Sequence, residues 1–322
     1  MKLSPLYFGL FLMAFLFSCE KETNNVTLPP NTTSTSSNNI TKFFDDNLQE
    51  VTQTFTFNSS SSNTTFTGDK GITYSFGPNT FVTANGNAVS GSFTIEIVEA
   101  LTNNDMLLIN RPTFTHSGQL LVSGGVVYLN ATQNGQQLSI NDNSPVMVSI
   151  PSDNYTPMDF FDGSFDNQGQ FGWDESEDDT VTINTAGNDS IFIDNFFSFD
   201  FEIDSMGWIN CDYFYNSPDP LTQVEVNLPD TFNGENCQVF IFYETINSLA
   251  SLSDYDSDGT FDLGINYSTP VGMDVSFVVI SENDGSFFYA IVNATISQDH
   301  IETIATLTPV SETDLETLLN AL

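Results

Sequence analysis

Short runs of alternating apolar and polar residues, cut by turns rich in Asn, Gly and Pro, recur along this chain and restrict the folds open to it. In Ser92-Phe-Thr-Ile-Glu-Ile97, Phe93, Ile95 and Ile97 fall on one side of an extended strand, with Thr94 and Glu96 on the other. Val51–Phe57 and Gly71–Phe76 repeat that period of two. Gly77-Pro78-Asn79, Asn85-Gly86-Asn87 and Ser123-Gly124-Gly125 supply turns. Asn134-Gly135, between the runs Val126–Ala131 and Leu138–Ile140, is a strong hairpin signal. The pattern resumes in Thr222–Leu228, Val239–Tyr243, Asp274–Ile280, Phe287–Ile296 and Ile301–Leu307. Short strands at this spacing predict an all-β chain built from β-sandwiches. With 322 residues there is room for two domains, and thirty Phe supply much of the core material.

The boundaries follow from shifts in composition. Phe43, Phe44 and Leu48 share one face of a short helix where ordered structure begins, and residues 42–150 form the first expected sandwich. Residues 151–200 are acidic and rich in Gly and Asn, and read as a connecting segment with short strands such as Ser190–Ile193 and Phe196–Phe201. Residues 201–322 form the second expected sandwich. It closes on a short C-terminal helix, in which Ser311 and Asp314 form a capping pair and Leu315, Leu318, Leu319 and Leu322 form an apolar stripe. That stripe is expected to cover one end of the second sandwich.

The N-terminus carries an address. Lys2 precedes the apolar run Leu6–Phe17, and the small Ser18 precedes Cys19, after which the chain turns polar at once. A positive start, a short apolar centre and a small residue at the cut read as a secretory signal over residues 1–18. The run is shorter than the roughly 20 apolar residues that span a bilayer. Cys19 directly after Ser18 resembles a bacterial lipoprotein signal, although Phe17 stands where that pattern favours a smaller residue. The resemblance implies that Cys19 is acylated. Residues 19–41 hold almost no apolar side chains and include Pro29-Pro30, so they are expected to be a disordered tether. Glu20-Lys21-Glu22 resembles the charged tags that send Bacteroidetes lipoproteins to the outer face of the outer membrane.

A second resemblance covers about Asn63 to Val148. Gly68–Phe81, Gly86–Gly91, Phe93–Glu99 and Gly118–Ala131 look like an extracellular sandwich of Bacteroidetes lipoproteins that is similar to the sandwiches of ankyrins and netrin receptors. Gly207-Trp-Ile-Asn-Cys-Asp212 resembles a motif of lipoproteins with the same layout, with Trp208 read as a packed aromatic. The resemblance implies a fold and brings no catalytic residue with it. Asp179-Thr-Val181, Asp189-Ser-Ile191 and Asp204-Ser-Met206 resemble acceptor triplets for O-linked glycans on exported proteins of that group.

Charge narrows the partners. Forty-two acidic residues stand against five basic ones, for a formal charge of −37. Nucleic acid is excluded, because phosphate binding needs clustered Lys and Arg. An anionic lipid surface also repels such a chain, so membrane contact is expected only through the lipid on Cys19. A protein or glycan partner is expected instead.

One run points to a metal. In Asp254-Tyr-Asp256-Ser-Asp258-Gly259-Thr-Phe-Asp262, the spaced carboxylates offer the hard oxygens calcium takes, and Gly259 permits the sharp turn. Asp254, Asp256, Asp258 and Asp262 are the expected ligands of a structural calcium loop. Ile265 stands where a bidentate Glu would close a helix–loop–helix site, and no helix pattern precedes the loop. Asp162–Asp166 and the acidic run around Glu177 are weaker candidates, more often solvated loops. Cys211 and Cys237 form an even pair in an oxidising compartment, so a disulfide is expected, with two buried thiols as the alternative. His116 and His300 lie in no nucleophile or zinc motif. The reading is a non-catalytic envelope lipoprotein serving as an interaction or structural module. Its alternative is a glycan-active enzyme, or an accessory carbohydrate-binding protein, using carboxylates that no motif marks.

Overall fold

The computed structural model describes residues 39–59, 62–153, 155–176, 180–186, 196–255, 259–264 and 269–322. Helix α1 (Asn39–Val51) comes first. Strands β1 (Gln53–Asn58), β2 (Thr64–Thr67), β3 (Thr73–Phe76), β4 (Phe81–Thr83) and β5 (Ser92–Ala100) follow. Helix α2 (Asn103–Leu108) leads to β6 (Leu121–Gln133), β7 (Gln136–Ile140) and β8 (Val146–Ser152). Next come β9 (Asp159–Phe165), β10 (Phe171–Glu175), β11 (Thr182–Ala186), β12 (Phe196–Ile203) and β13 (Gly207–Phe214).

These strands make two sheets. One runs β1-β5-β6-β13-β9-β10, with β7 joined to β6 and β4 to β7; the other runs β11-β12-β8-β3-β2. Alternation drives them together. Phe93, Ile95 and Ile97 of β5 bury with Val127 and Leu129 of β6 against Tyr74, Val148, Ile150, Phe199 and Phe201 of the facing sheet. The β6–β7 turn is the one the sequence marks: Asn134 and Gly135 have φ of 51° and 74°, the left-handed pair of a type I′ hairpin.

The second half adds β14 (Leu221–Thr222), β15 (Val224–Asn227), β16 (Cys237–Tyr243), β17 (Leu249–Ser251), β18 (Asp254–Tyr255) and β19 (Thr260–Asp262). It continues with β20 (Thr269–Pro270), β21 (Asp274–Asn283), β22 (Ser286–Thr295), β23 (His300–Thr303), β24 (Thr308–Val310) and helix α3 (Glu312–Leu319). The sheet β17-β16-β21-β22-β24 faces β18-β19-β15-β23, and Val226, Val239, Ile241, Phe261, Phe277 and Val279 fill the second core. The chain is all-β, with three short helices among the described residues, the last at the C-terminus.

The residues expected to be a connector are part of the first sandwich. β9 to β11 and the first part of β12 fall in the segment 151–200, and β12 pairs with β8 over seven residues. β13, beyond that segment, pairs with β6 on one side and β9 on the other. Composition misleads here because the polar residues occupy outward positions while Phe160, Phe161, Phe199 and Phe201 are buried.

The sandwiches meet across helices. Ile40, Phe43, Phe44 and Leu48 on one side of α1 are all buried. The helix touches β5 and α2 from the first half and β21 from the second. Phe43 packs on Phe287 with ring centroids 5.6 Å apart, and Phe44 on Phe240 at 6.0 Å. α3 buries Leu315 and Leu319 beside α2 and β22, and the Asn104 amide donates to the Leu319 carbonyl at 2.7 Å. A polar latch completes the joint. Asn247 Nδ2 donates to the carbonyls of Leu101 (2.9 Å) and Ser123 (2.8 Å), Ser248 Oγ to that of Leu121 (2.7 Å), and Asn103 Nδ2 to those of Tyr243 and Ile246 (both 3.1 Å). Phe114 and Leu120, from the first half, are packed into the second core.

Candidate functional site

The residues singled out in the sequence land in separate places. Cys19 lies outside the described residues, as do Asp256 and Asp258. The other two calcium candidates frame the tip of the β18–β19 hairpin, where Asp254 and Asp262 are directly paired across the strands. Asp262 Oδ1 also accepts the Gly264 N–H at 2.5 Å. Among the described residues no group of three or more His, Cys, Asp or Glu stands close enough to hold a metal ion.

Cys211 and Cys237 are both free and buried. The bridge expected between them does not form, because Cys211 on β13 points into the first core and Cys237 on β16 into the second. Burial pushes the Cys211 thiol well above its ordinary range and Cys237 up to about 12, so both stay protonated hydrophobes.

The densest chemistry sits on the β9–β10 hairpin, which the sequence marked only through the weaker metal candidate Asp162–Asp166. Ser164 pairs across the hairpin with Gly172 and Asp162 with Asp174, so these residues share one face. His116 lies over them. Its loop runs beside β10, with the His116 N–H bonded to the Trp173 carbonyl at 3.1 Å. A Cβ at Gly172 would stand 2.7 Å from His116 Nδ1, so glycine there is what makes room for the ring. His116 Nε2 is 3.1 Å from Ser164 Oγ and 3.9 Å from Asp174 Oδ2. A Ser–His–Asp relay needs the hydroxyl on one ring nitrogen and the orienting carboxylate on the other. Here both face Nε2 while Nδ1 faces Gly172, so Ser164 has a hydrogen-bond partner without an oriented base. Asp166, at the hairpin turn, uses Oδ1 to accept the N–H groups of Gln168 and Gln170, both at 2.8 Å.

The opposite face of the hairpin is aromatic. Phe165, 54 % exposed, packs edge-on to Phe171, which in turn packs on Trp173 and Trp208. Arg111 lies over three of these rings, its Cζ 4.3 Å from the Trp208 centroid, 4.6 Å from Phe171 and 5.3 Å from Phe165. Its Nη1 donates to the carbonyls of Ile109 (3.1 Å) and Asn110 (2.9 Å). Burial lowers its pKa to about 10, and the nearby Asp45 opposes that shift. It remains a cation at neutral pH, held by π faces and carbonyls. Arg111 therefore pins the hairpin to the helix layer.

Two buried carboxyls are also committed to structure. Glu99 accepts from Gln53 Nε2 (3.1 Å), the Lys70 N–H (2.8 Å) and the Tyr74 hydroxyl (3.2 Å) at the edge of a hollow of about 570 Å³ that Glu50 and Asp69 also line. Burial raises its pKa against those donors. Asp212, fully buried on β13, accepts Asn210 Nδ2 at 2.5 Å, and Ser123 Oγ donates to Asn210 Oδ1 at 2.8 Å. Burial drives the Asp212 carboxyl well above the carboxylate range, against the Ser123 hydroxyl and the Gly124 N–H.

The exposed lysines are each matched by a carboxylate. Lys42 pairs with Asp46, Lys70 Nζ is 2.8 Å from Asp105 Oδ1, and Arg111 is buried. Among the described residues every basic side chain except the histidines is thus paired or buried, and the unpaired exposed charge is carboxylate.

No protein-family model matches the chain, and no curated protein does. Among solved structures it matches the crystal structure of the gamma-CGTase from alkalophilic Bacillus clarkii at 9 % identity and a TM-score of 0.17. The alignment covers 76 % of this chain and 41 % of that one, so the chain spans less than half the length of the matched protein. A likeness at that TM-score carries no argument about fold or activity.

Proposed function

We propose that this chain is a non-catalytic interaction or structural module of the cell envelope, a lipoprotein of the Bacteroidetes type carried on the outer face of the outer membrane by lipid on Cys19. The observation that carries the reading is the joint between the sandwiches. The helix layer and the latch at Asn247 and Ser248 tie both halves into a single unit, and no exposed unpaired Lys or Arg is present among the described residues to meet an anionic lipid surface. Membrane contact then falls to the N-terminal lipid, and several acyl chains at about 0.8 kcal/mol per buried CH₂ suffice to hold it. In cells of the native host, Cys19→Ala is expected to abolish incorporation of a radiolabelled fatty acid and to release the protein from the membrane fraction. Label that persists in the variant refutes the anchor.

The same reading includes calcium as a structural ion at the β18–β19 tip. Asp254 and Asp262 stand opposite each other at the two ends of the loop that carries Asp256 and Asp258. Calcium at millimolar concentration is expected to raise the melting temperature by several degrees, about 1–3 kcal/mol of linkage if it binds tightly at that concentration. Asp256→Ala is expected to remove most of that shift in scanning calorimetry. A native protein indifferent to calcium would discard the ion site and leave the anchor untouched.

A further inference from the structure

We infer that His300 is an acid-released catch on the edge of the second sandwich. The imidazole is 8 % exposed and stacked on Phe277 of β21, with centroids 5.4 Å apart and planes at 17°. Its Nδ1 accepts the backbone N–H of Ser297 at 3.2 Å and lies 3.3 Å from the Ser297 hydroxyl. A backbone N–H can only donate, so Nδ1 is the bare nitrogen and the neutral ring carries its proton on Nε2. Nε2 is buried with no hydrogen-bond partner, and Glu302 Oε2 stands 3.7 Å from it.

This arrangement leaves one place for an added proton. It must go to Nδ1, where it meets the Ser297 N–H head-on and the hydrogen bond is lost. The resulting imidazolium is drawn the other way, because Nε2–H faces the Glu302 carboxylate. The charged groups around the ring are few. Glu302 comes from β23 itself and Asp299 from the preceding turn, where its Oδ1 accepts Gln298 Nε2 at 3.2 Å. β21 presents the apolar Phe277, and β15 presents Val224 as the parallel partner of His300. Protonation therefore trades the Ser297 bond for attraction to Glu302.

The turn it would release is a joint. Residues 296–299 connect β22 to β23, and β23 is bonded on one side only, to β15. The Asp299 N–H is held by Thr222 Oγ1 at 2.6 Å, the Ile296 N–H by the Met273 carbonyl at 2.8 Å, the Ile296 carbonyl by the Gly272 N–H at 2.7 Å, and Gln298 Nε2 reaches Thr222 Oγ1 at 3.3 Å, so the Ser297 bond is one of several that seat the turn. β23 also carries Ile301 at 59 % exposure, a side chain that a loosened edge would expose further.

The test is NMR on the full ¹⁵N-labelled folded chain. At pH 8 the His300 ring nitrogens are expected to show the Nε2–H tautomer. As pH falls through the titration of His300, the exchange protection of the Ser297 amide, corrected for the intrinsic rate, is expected to drop roughly five- to tenfold, the worth of one backbone hydrogen bond. The Ile296 amide should change less. In His300→Asn a side-chain carbonyl replaces Nδ1 as acceptor, and protection of Ser297 is expected to become independent of pH. A proton found on Nδ1 at pH 8, a His300 that stays neutral to pH 4, or Ser297 protection that does not follow the His300 titration each overturns the inference, whether or not the variant folds.

Discussion

Replacing Phe43 with Ala is expected to destabilise the protein by about 3–5 kcal/mol and to weaken both sandwiches at once. The side chain is fully buried, and its ring touches Phe44 at 5.3 Å and Phe287 of β22 at 5.6 Å. Truncation leaves a cavity beneath a helix that packs on β5 of the first sandwich and β21 of the second. Neighbouring elements have little freedom to collapse into it, because α1 is anchored along its length by Ile40, Phe44 and Leu48. Denaturant unfolding followed by far-UV circular dichroism and by the fluorescence of Trp173 and Trp208 checks this. Both tryptophans lie in the first half, so their signal reports that sandwich while circular dichroism reports both. The native protein is expected to show coincident transitions, and Phe43→Ala to shift both to lower denaturant together. Two transitions, with only one moved, would mean that the sandwiches fold independently.

The second large effect concerns the buried acid on β13. Burial raises the Asp212 carboxyl well above its ordinary value, so the folded state holds a proton that the unfolded state releases near pH 4. The sign follows from that difference. The contribution to stability is fully present below the unfolded pKa and is lost as pH rises through the folded pKa, at about 1.4 kcal/mol per pH unit. Asp212→Asn keeps the shape and an acceptor for Asn210 while removing the ionisation. It is expected to flatten the fall in melting temperature as pH rises above the ordinary carboxylate range, with the largest gain in stability at the alkaline end. Calorimetry across that range checks it. An unchanged slope would mean that another group carries the pH dependence.

These two sites also mark how far the sequence could be read. The alternation in Ser92–Ile97 and Asp274–Ile280 and the turn residues at Asn134-Gly135 identify strands and hairpins, because a period of two and a left-handed turn are local properties. The helix face of Phe43, Phe44 and Leu48 is legible for the same reason, and all three are buried. Ser311 caps α3 as its spacing to Asp314 predicts, accepting the Asp314 N–H at 3.2 Å.

What these faces bury against is not local. α1 packs between two sandwiches whose strands lie tens to hundreds of residues away, and the acidic stretch 151–200 is divided between two sheets of the first. Cys211 and Cys237 look like a pair by count, yet parity carries no information about which core each strand faces. Arg111 reads in the sequence as one more charge against a large acidic excess, and only the fold lays it across Trp208, Phe171 and Phe165.

The sequence by itself determined the strand-rich character, the hairpin turns, the two amphipathic helix faces and the net charge, since each depends on residues a few positions apart or on composition. The tertiary structure alone decided the partners: which strands pair, which core receives each cysteine, and which groups surround Asp212 and His300. Those outcomes rest on contacts between residues far apart in the chain, and a pattern along one dimension does not encode them.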